Sequence, residues 1–164
     1  MKPLLIIVRG IPGSGKTTWV NNQRKHETPG TNHHFEADMY FEQLNPITGI
    51  IDYNFDVTKL GQAHAWCKQQ TRQALEQGRK VYVSNTFSTI KELAPYIEMA
   101  QELQAKVVIH EMSEIPVVEG KRKSIHNVPQ HVIDRMIKRW DLKVPSDWNT
   151  IQYFIHSYVY FTRP

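Results

Sequence analysis

An α/β fold, with a mostly parallel sheet layered between helices, follows from three features of the sequence. Short unbroken apolar runs recur as candidate strands buried on both faces. Amphipathic stretches with helical spacing lie between them, the alternation that builds parallel sheets. The first apolar run opens directly into a glycine-rich turn and then a helical segment.

Leu4–Val8 is the first candidate strand. The turn after it reads Gly10-Ile11-Pro12-Gly13-Ser14-Gly15-Lys16-Thr17-Thr18 and matches G-x-x-x-x-G-K-[ST] at every fixed position. A phosphate chain needs several backbone N–H groups aimed at it, and glycines let the backbone curl closely enough to supply them. The first helical turn adds unsatisfied donors and the positive end of a dipole. The spacing therefore predicts a nucleotide site over Gly10–Thr18 for ATP or GTP, with Lys16 on the β- and γ-phosphates. Thr17 is the expected Mg²⁺ residue, with Asp38 a second candidate acting through water.

The first helix is expected from Lys16 to about Lys25, with breakers at Glu27–Thr31. A second strand is predicted over His34–Ala37, putting Asp38 on the rim where the phosphate loop emerges. A carboxylate there suits a general base for a hydroxyl acceptor; it also suits the cap of a following helix. An irregular excursion over this rim is expected around residues 45–55. Apolar spacing over Leu60, Ala63, Cys67, Thr71 and Leu75 predicts a helix from about Val57 to Gln77. Cys67 is read as core, and His64 as a packed or surface residue.

Lys80–Asn85 is the next buried strand, with Val81–Ser84 inside the sheet. It ends in Ser84, Asn85 and Thr86, where many phosphate-loop ATPases carry a metal-holding aspartate. These neutral groups are candidates for acceptor binding or for capping the helix expected near Thr89–Gln104. Lys106–Glu111 is a further strand, with Val107–His110 in the sheet. Met112–Ser124 is short of helix signals and carries Lys121-Arg122-Lys123, within a segment of about residues 113–130. It reads as a basic lid that closes over phosphates, or as a solvated charge run. Arg122 and Lys123 are the catalytic candidates there. After Pro129, the residues Val132, Ile133, Met136, Ile137 and Trp140 mark an amphipathic helix whose other positions include Arg135, a candidate for acceptor binding. The aromatic tail 150–164 suits a strand or packed segment, a dimer contact, or a stacking platform for bases.

The chain has 164 residues and is 40% hydrophobic, enough for one domain with a real core. No apolar run is long enough to cross a membrane, and no cleavable leader is visible. A single cysteine excludes disulfide bonding within the chain, and a cytoplasmic setting is expected. The net charge of +4 permits a polyanionic partner without requiring one.

The phosphate loop, Glu36-Ala-Asp-Met-Tyr-Phe41, Leu60–Cys67, Val83-Ser-Asn-Thr86, His126-Asn-Val-Pro129, Ile133 and Arg135-Met136 occur in this order. Together they resemble the AAA-domain-type P-loop kinases, which include the kinase domain of phage polynucleotide kinase and the nucleotide-binding domain of Nedd4-binding-protein-2-like proteins. The resemblance covers about residues 4–140. It implies a three-layer P-loop NTPase/kinase sandwich with a basic lid, using ATP and Mg²⁺. Lys16 and Thr17 fall on the family's phosphate and metal residues, Asp38 on its general base, and Lys123, beside Arg122, on its lid arginine. Phe41 replaces an arginine that positions the acceptor, and Asn85 an acidic residue. The implied reaction is transfer of the γ-phosphate to a hydroxyl, with a single-stranded nucleic-acid 5′-end as the leading acceptor. A nucleoside, a modified DNA base or a metabolite is the alternative acceptor. The other reading is a nucleotide-binding module or slow ATPase serving a protein partner.

Overall fold

The structure, a computed structural model, describes residues 2–112, 117–118, 121–122, 128–141 and 145–156. The strands are β1 (Leu4–Arg9), β2 (Asn32–Phe35), β3 (Glu42–Leu44), β4 (Ile51–Tyr53), β5 (Lys80–Asn85), β6 (Lys106–Met112), β7 (Val117–Val118), β8 (Lys121–Arg122) and β9 (Gln152–His156). The helices are α1 (Lys16–Arg24), α2 (Leu60–Glu76), α3 (Ile90–Glu102) and α4 (Gln130–Lys138). Five strands form one sheet in the order β2-β5-β1-β6-β9. Every neighbouring pair in it runs parallel.

The two-residue period of the strands sorts the core into two layers. Leu5, Ile7, Val81, Val83, Val107 and Ile109 face one side and pack with Cys67, Ala74 and Leu75 of α2 and Leu93, Ile97 and Ala100 of α3. Ile6, Val8, Tyr82 and Met112 face the other, against Trp19 and Val20 of α1. Helices thus cover both faces, as a parallel sheet requires. Leu5 and Ile7 are fully buried. Truncating either to alanine is expected to cost roughly 2–5 kcal/mol.

Three expectations need adjustment. The second strand ends at Phe35 and does not run His34–Ala37. Glu36 stays extended, but Ala37–Phe41 wind into a 3₁₀ turn. The Ala37 N–H is drawn to Asn85 Oδ1 at 2.9 Å, away from any sheet ladder. The excursion around residues 45–55 is an antiparallel hairpin, β3 with β4. Asn45 sets its turn by accepting from the Ile47 and Thr48 N–H groups, and Gly49 supplies a φ of 67°. The long helix begins as a 3₁₀ turn over Val57–Lys59, capped by Asp56 accepting from Thr58 N–H, and becomes α-helical only at Leu60. Within the tail, Gln152–His156 is a parallel edge strand on β6; residues 157–164 lie outside the described residues. Among the described residues, no helix is long and apolar enough to cross a membrane.

Candidate active site

Because β1 lies between β5 and β6, its carboxyl end opens at the middle of the sheet rim. The loop is anchored there by Gly10 N–H donating to Thr86 O at 3.1 Å. Gly10 has no space for a side chain: a Cβ would lie 2.3 Å from Ser14 Oγ and 3.0 Å from Met112 Cβ. Gly13 and Gly15 take left-handed φ values of 84° and 85°, which turn the chain around the cradle. Ser14 is buried under the loop, while Thr17 and Thr18 are exposed on its outer end. Helix α1 starts at Lys16 with no side-chain cap and no acidic residue in its first turn, so its positive end is left for an anion. The Lys16 amine lies among the loop carbonyls, donating to Gly10 O at 2.7 Å and Ile11 O at 3.1 Å. Burial pulls its pKa down to about 8, against the opposing pull of the Glu36 and Asp38 charges.

Those two carboxylates come from the turn after β2. The register pairs Phe35 with Val83, which brings Glu36 alongside Ser84 on the α1 face of the sheet. Glu36 Oε1 accepts from Ser84 Oγ at 2.5 Å and from Thr17 Oγ1 at 2.6 Å, with His34 Nε2 at 3.1 Å. Burial alone would raise the Glu36 pKa. The hydrogen bonds from His34, Ser84 and Thr17, with the electrostatic attraction of His34, instead hold it down at about 2. Sequence reasoning had not singled out Glu36; its signal was an acid two residues before Asp38, the i, i+2 spacing of a strand face. Asp38 lies in the first turn of the 3₁₀ segment, so Glu36, not Asp38, stands at the capping position. Asp38 Oδ1 accepts from Tyr53 Oη of β4 at 3.2 Å. Burial and the Asp38 charge push the Tyr53 phenol up to about 12.

The other candidates distribute unevenly. Ser84 reaches the crevice through Glu36. Asn85 alternates to the opposite face, where its side chain holds Ala37 N–H and donates to Cys67 Sγ at 3.5 Å. It thereby fixes the turn that carries Asp38. Thr86 takes part through its carbonyl on Gly10. Arg135 is exposed on α4. Of the lid, the backbone of Arg122 is described, in β8 paired with Val117 of β7; Lys123 lies outside the described residues.

Thr17 offers a hydroxyl, and Glu36 and Asp38 offer carboxylates: hard oxygen donors of the type Mg²⁺ accepts. Among the described residues there is no group of three or more His, Cys, Asp or Glu that could hold a metal by itself. The residues therefore fit a cation that arrives with phosphate oxygens, and not a permanent protein cage.

A family model described as an AAA domain matches residues 5–142. The chain belongs to this AAA-domain P-loop kinase family. Human NEDD4-binding protein 2 is 30% identical over 141 residues, which is 84% of this chain and only 8% of that protein. Among solved structures, the fold is similar to a chain of the Pnkp1/Rnl/Hen1 RNA repair complex, with a TM-score of 0.59 at 18% identity, over 84% of this chain and 43% of that one. It is also similar to Chaetomium thermophilum Kti12 in complex with ADP-AlF3, with a TM-score of 0.63 at 13% identity, over 94% and 89% of the two chains. A kinase-type, nucleotide-binding fold is thus common to the family and to this chain.

Proposed function

We propose that this protein is an ATP-dependent phosphotransferase that moves the γ-phosphate to a hydroxyl held against Asp38. The observation that carries this reading is that the loop bearing Lys16 and the turn bearing Asp38, distant in sequence, are joined by the 2.6 Å hydrogen bond from Thr17 Oγ1 to Glu36 Oε1. The triphosphate tail lies in the loop, its β- and γ-oxygens taking Lys16 away from the carbonyls of Gly10 and Ile11. The N–H groups at the start of α1 meet the same oxygens. Asp38 orients the acceptor hydroxyl in line with the γ-phosphorus and receives its proton. A bond forms from that oxygen to phosphorus, and the bond to the bridging oxygen of ADP breaks. Tyr53, donating to Asp38, holds the base in place. Arg122 and Lys123 supply lid charge over the developing negative charge. Mg²⁺, held by Thr17, would neutralise the phosphate oxygens.

For the acceptor, the RNA repair complex among the structural relatives favours a nucleic-acid 5′-hydroxyl. One observation favours a second reading. Residues 36–58, which follow the carboxyl end of β2 on the side that bears Asp38, contain no lysine or arginine and five acids: Glu36, Asp38, Glu42, Asp52 and Asp56. The hairpin beside them exposes Leu44, Ile51 and Tyr53, which lie on one face by register, and Phe55 stacks on Tyr53. This acidic stretch with its apolar face suits an uncharged or cationic acceptor better than a polyanion. The test is γ-³²P transfer from ATP to 5′-hydroxyl DNA, 5′-hydroxyl RNA, nucleosides and sugars. Labelling of one class, lost by about 10²–10⁴-fold in Asp38→Ala, is expected. Hydrolysis stimulated by a protein and by no hydroxyl would favour the nucleotide-binding module instead.

A further inference from the structure

Strand β5 ends without the aspartate that many phosphate-loop ATPases use near their metal; Ser84 stands there. A hydroxyl is a weak substitute for a carboxylate beside a divalent cation. The structure, however, places an acid within hydrogen-bond reach of that hydroxyl. One oxygen of Glu36, Oε1, is where three elements converge: Ser84 of β5 at 2.5 Å, Thr17 of the phosphate loop at 2.6 Å and His34 of β2 at 3.1 Å. The β2–β5 register makes this meeting unavoidable, since Phe35 lies opposite Val83 and the next residues on each strand face α1 together.

We infer that Glu36 is the carboxylate of the metal site, acting with Thr17 from the end of β2 in the role that a strand-end aspartate on β5 plays elsewhere. The inference rests on the nucleotide-site reading above. Glu36 accepts the Thr17 hydroxyl proton and so turns the lone pairs of that oxygen toward the phosphates. It also sets a negative charge beside the cation that arrives with them. His34 and Ser84 hold the carboxylate in position, the support that outer partners give to metal ligands. Asp38, two residues on and held by Tyr53, serves the acceptor. The two acids thus divide the work: one serves the metal and one the hydroxyl.

Mn²⁺ with ADP is the probe, read by the electron paramagnetic resonance of free Mn²⁺ and by calorimetry of ADP binding with and without EDTA. None of these readouts depends on turnover. In EDTA, Glu36→Gln is expected to bind ADP as the wild type does or more tightly, because a negative charge near the phosphates is gone. With Mn²⁺, the gain in ADP affinity that the metal confers should fall by about 10–100-fold. A second variant, Glu36→Ser with Ser84→Asp, moves the carboxylate across the 2.5 Å hydrogen bond from β2 to β5 and should recover most of that gain. It carries the test by itself if Glu36→Gln fails to fold. A full metal-dependent gain in Glu36→Gln would overturn the inference. So would a folded double variant that recovers none of it. If the wild type binds no ADP in either condition, the nucleotide-site reading itself fails and the inference falls with it.

Discussion

Among the described residues, Arg9 is the largest side chain that is fully buried, and it sits one residue before the phosphate loop. Its Nη1 donates to Asp141 O at 3.1 Å and Tyr153 Oη at 3.0 Å, and its Nη2 to Ser88 O at 3.3 Å. Glu111 lies 3.6 Å away, and the guanidinium stacks 4.0 Å above the Trp140 ring. Five parts of the chain meet on this one group: β1, the segment before α3, β6, the end of the α4 segment, and β9. Arg9→Met keeps the volume and removes the charge and all three hydrogen bonds. Breaking a buried pair by deleting one partner costs roughly 3–5 kcal/mol. Glu111 keeps hydrogen bonds from Tyr153 Oη and Trp140 Nε1, which places the expected loss at the lower end, about 3 kcal/mol. Urea denaturation followed by circular dichroism measures it. Combining the change with Glu111→Gln should reveal a coupling of about 1 kcal/mol or more. A loss under about 1 kcal/mol for Arg9→Met, or strict additivity in the double variant, would refute the view that Arg9 ties these segments together.

Asn85→Ala leaves the buried Ala37 N–H without its acceptor and should cost about 1–3 kcal/mol in stability. Because it loosens the turn that bears Asp38 and not the loop, transfer rates should fall while ATP affinity holds, a split that steady-state and binding measurements resolve. Gly10→Ala forces a Cβ to within 2.3 Å of Ser14 Oγ, so nucleotide binding should be lost even where circular dichroism shows a folded chain. His110 is pushed down to about 4 by burial and by its neighbour His156, which it meets at 2.7 Å. A histidine held neutral in the fold contributes fully above its unfolded value of about 6.5; as pH falls from there toward 4, the unfolded chain binds the proton first. Stability should therefore drop across that window, by up to about 2 kcal/mol after solvent screening. His110→Phe, at a position packed between Trp19 and Phe154, should flatten the slope in urea titrations at successive pH values.

The phosphate loop was legible in the sequence because its chemistry constrains backbone: each fixed glycine answers to a φ value or to a space too small for a Cβ. The strands β1, β5 and β6 were legible because burial on both faces writes an unbroken apolar run. The hairpin β3–β4 was not, since all six of its strand residues are exposed and carry no period of two that points inward. The second strand was placed two residues late because Ala37 leaves the sheet for Asn85, a partner 48 positions away. The role of Glu36 is hidden in the sequence for a related reason. Its meaning depends on the register of β2 against β5, and register between strands separated by a whole helix is not written in either segment. Asn85 and Ser84 are adjacent in sequence, yet strand alternation sends one to α2 and the other to α1, so a motif read as one cluster serves two sites.

Calorimetric titration of ATP into the wild type, Lys16→Ala and Asp38→Ala at pH 7 tests the central geometry most directly. Saturable binding in the wild type, a loss of about tenfold or more without the Lys16 charge, and equal or tighter binding without the Asp38 carboxylate are predicted, since in the proposed pose that acid would repel the phosphates that Lys16 attracts. Absence of binding in the wild type, or indifference of binding to Lys16, would contradict it.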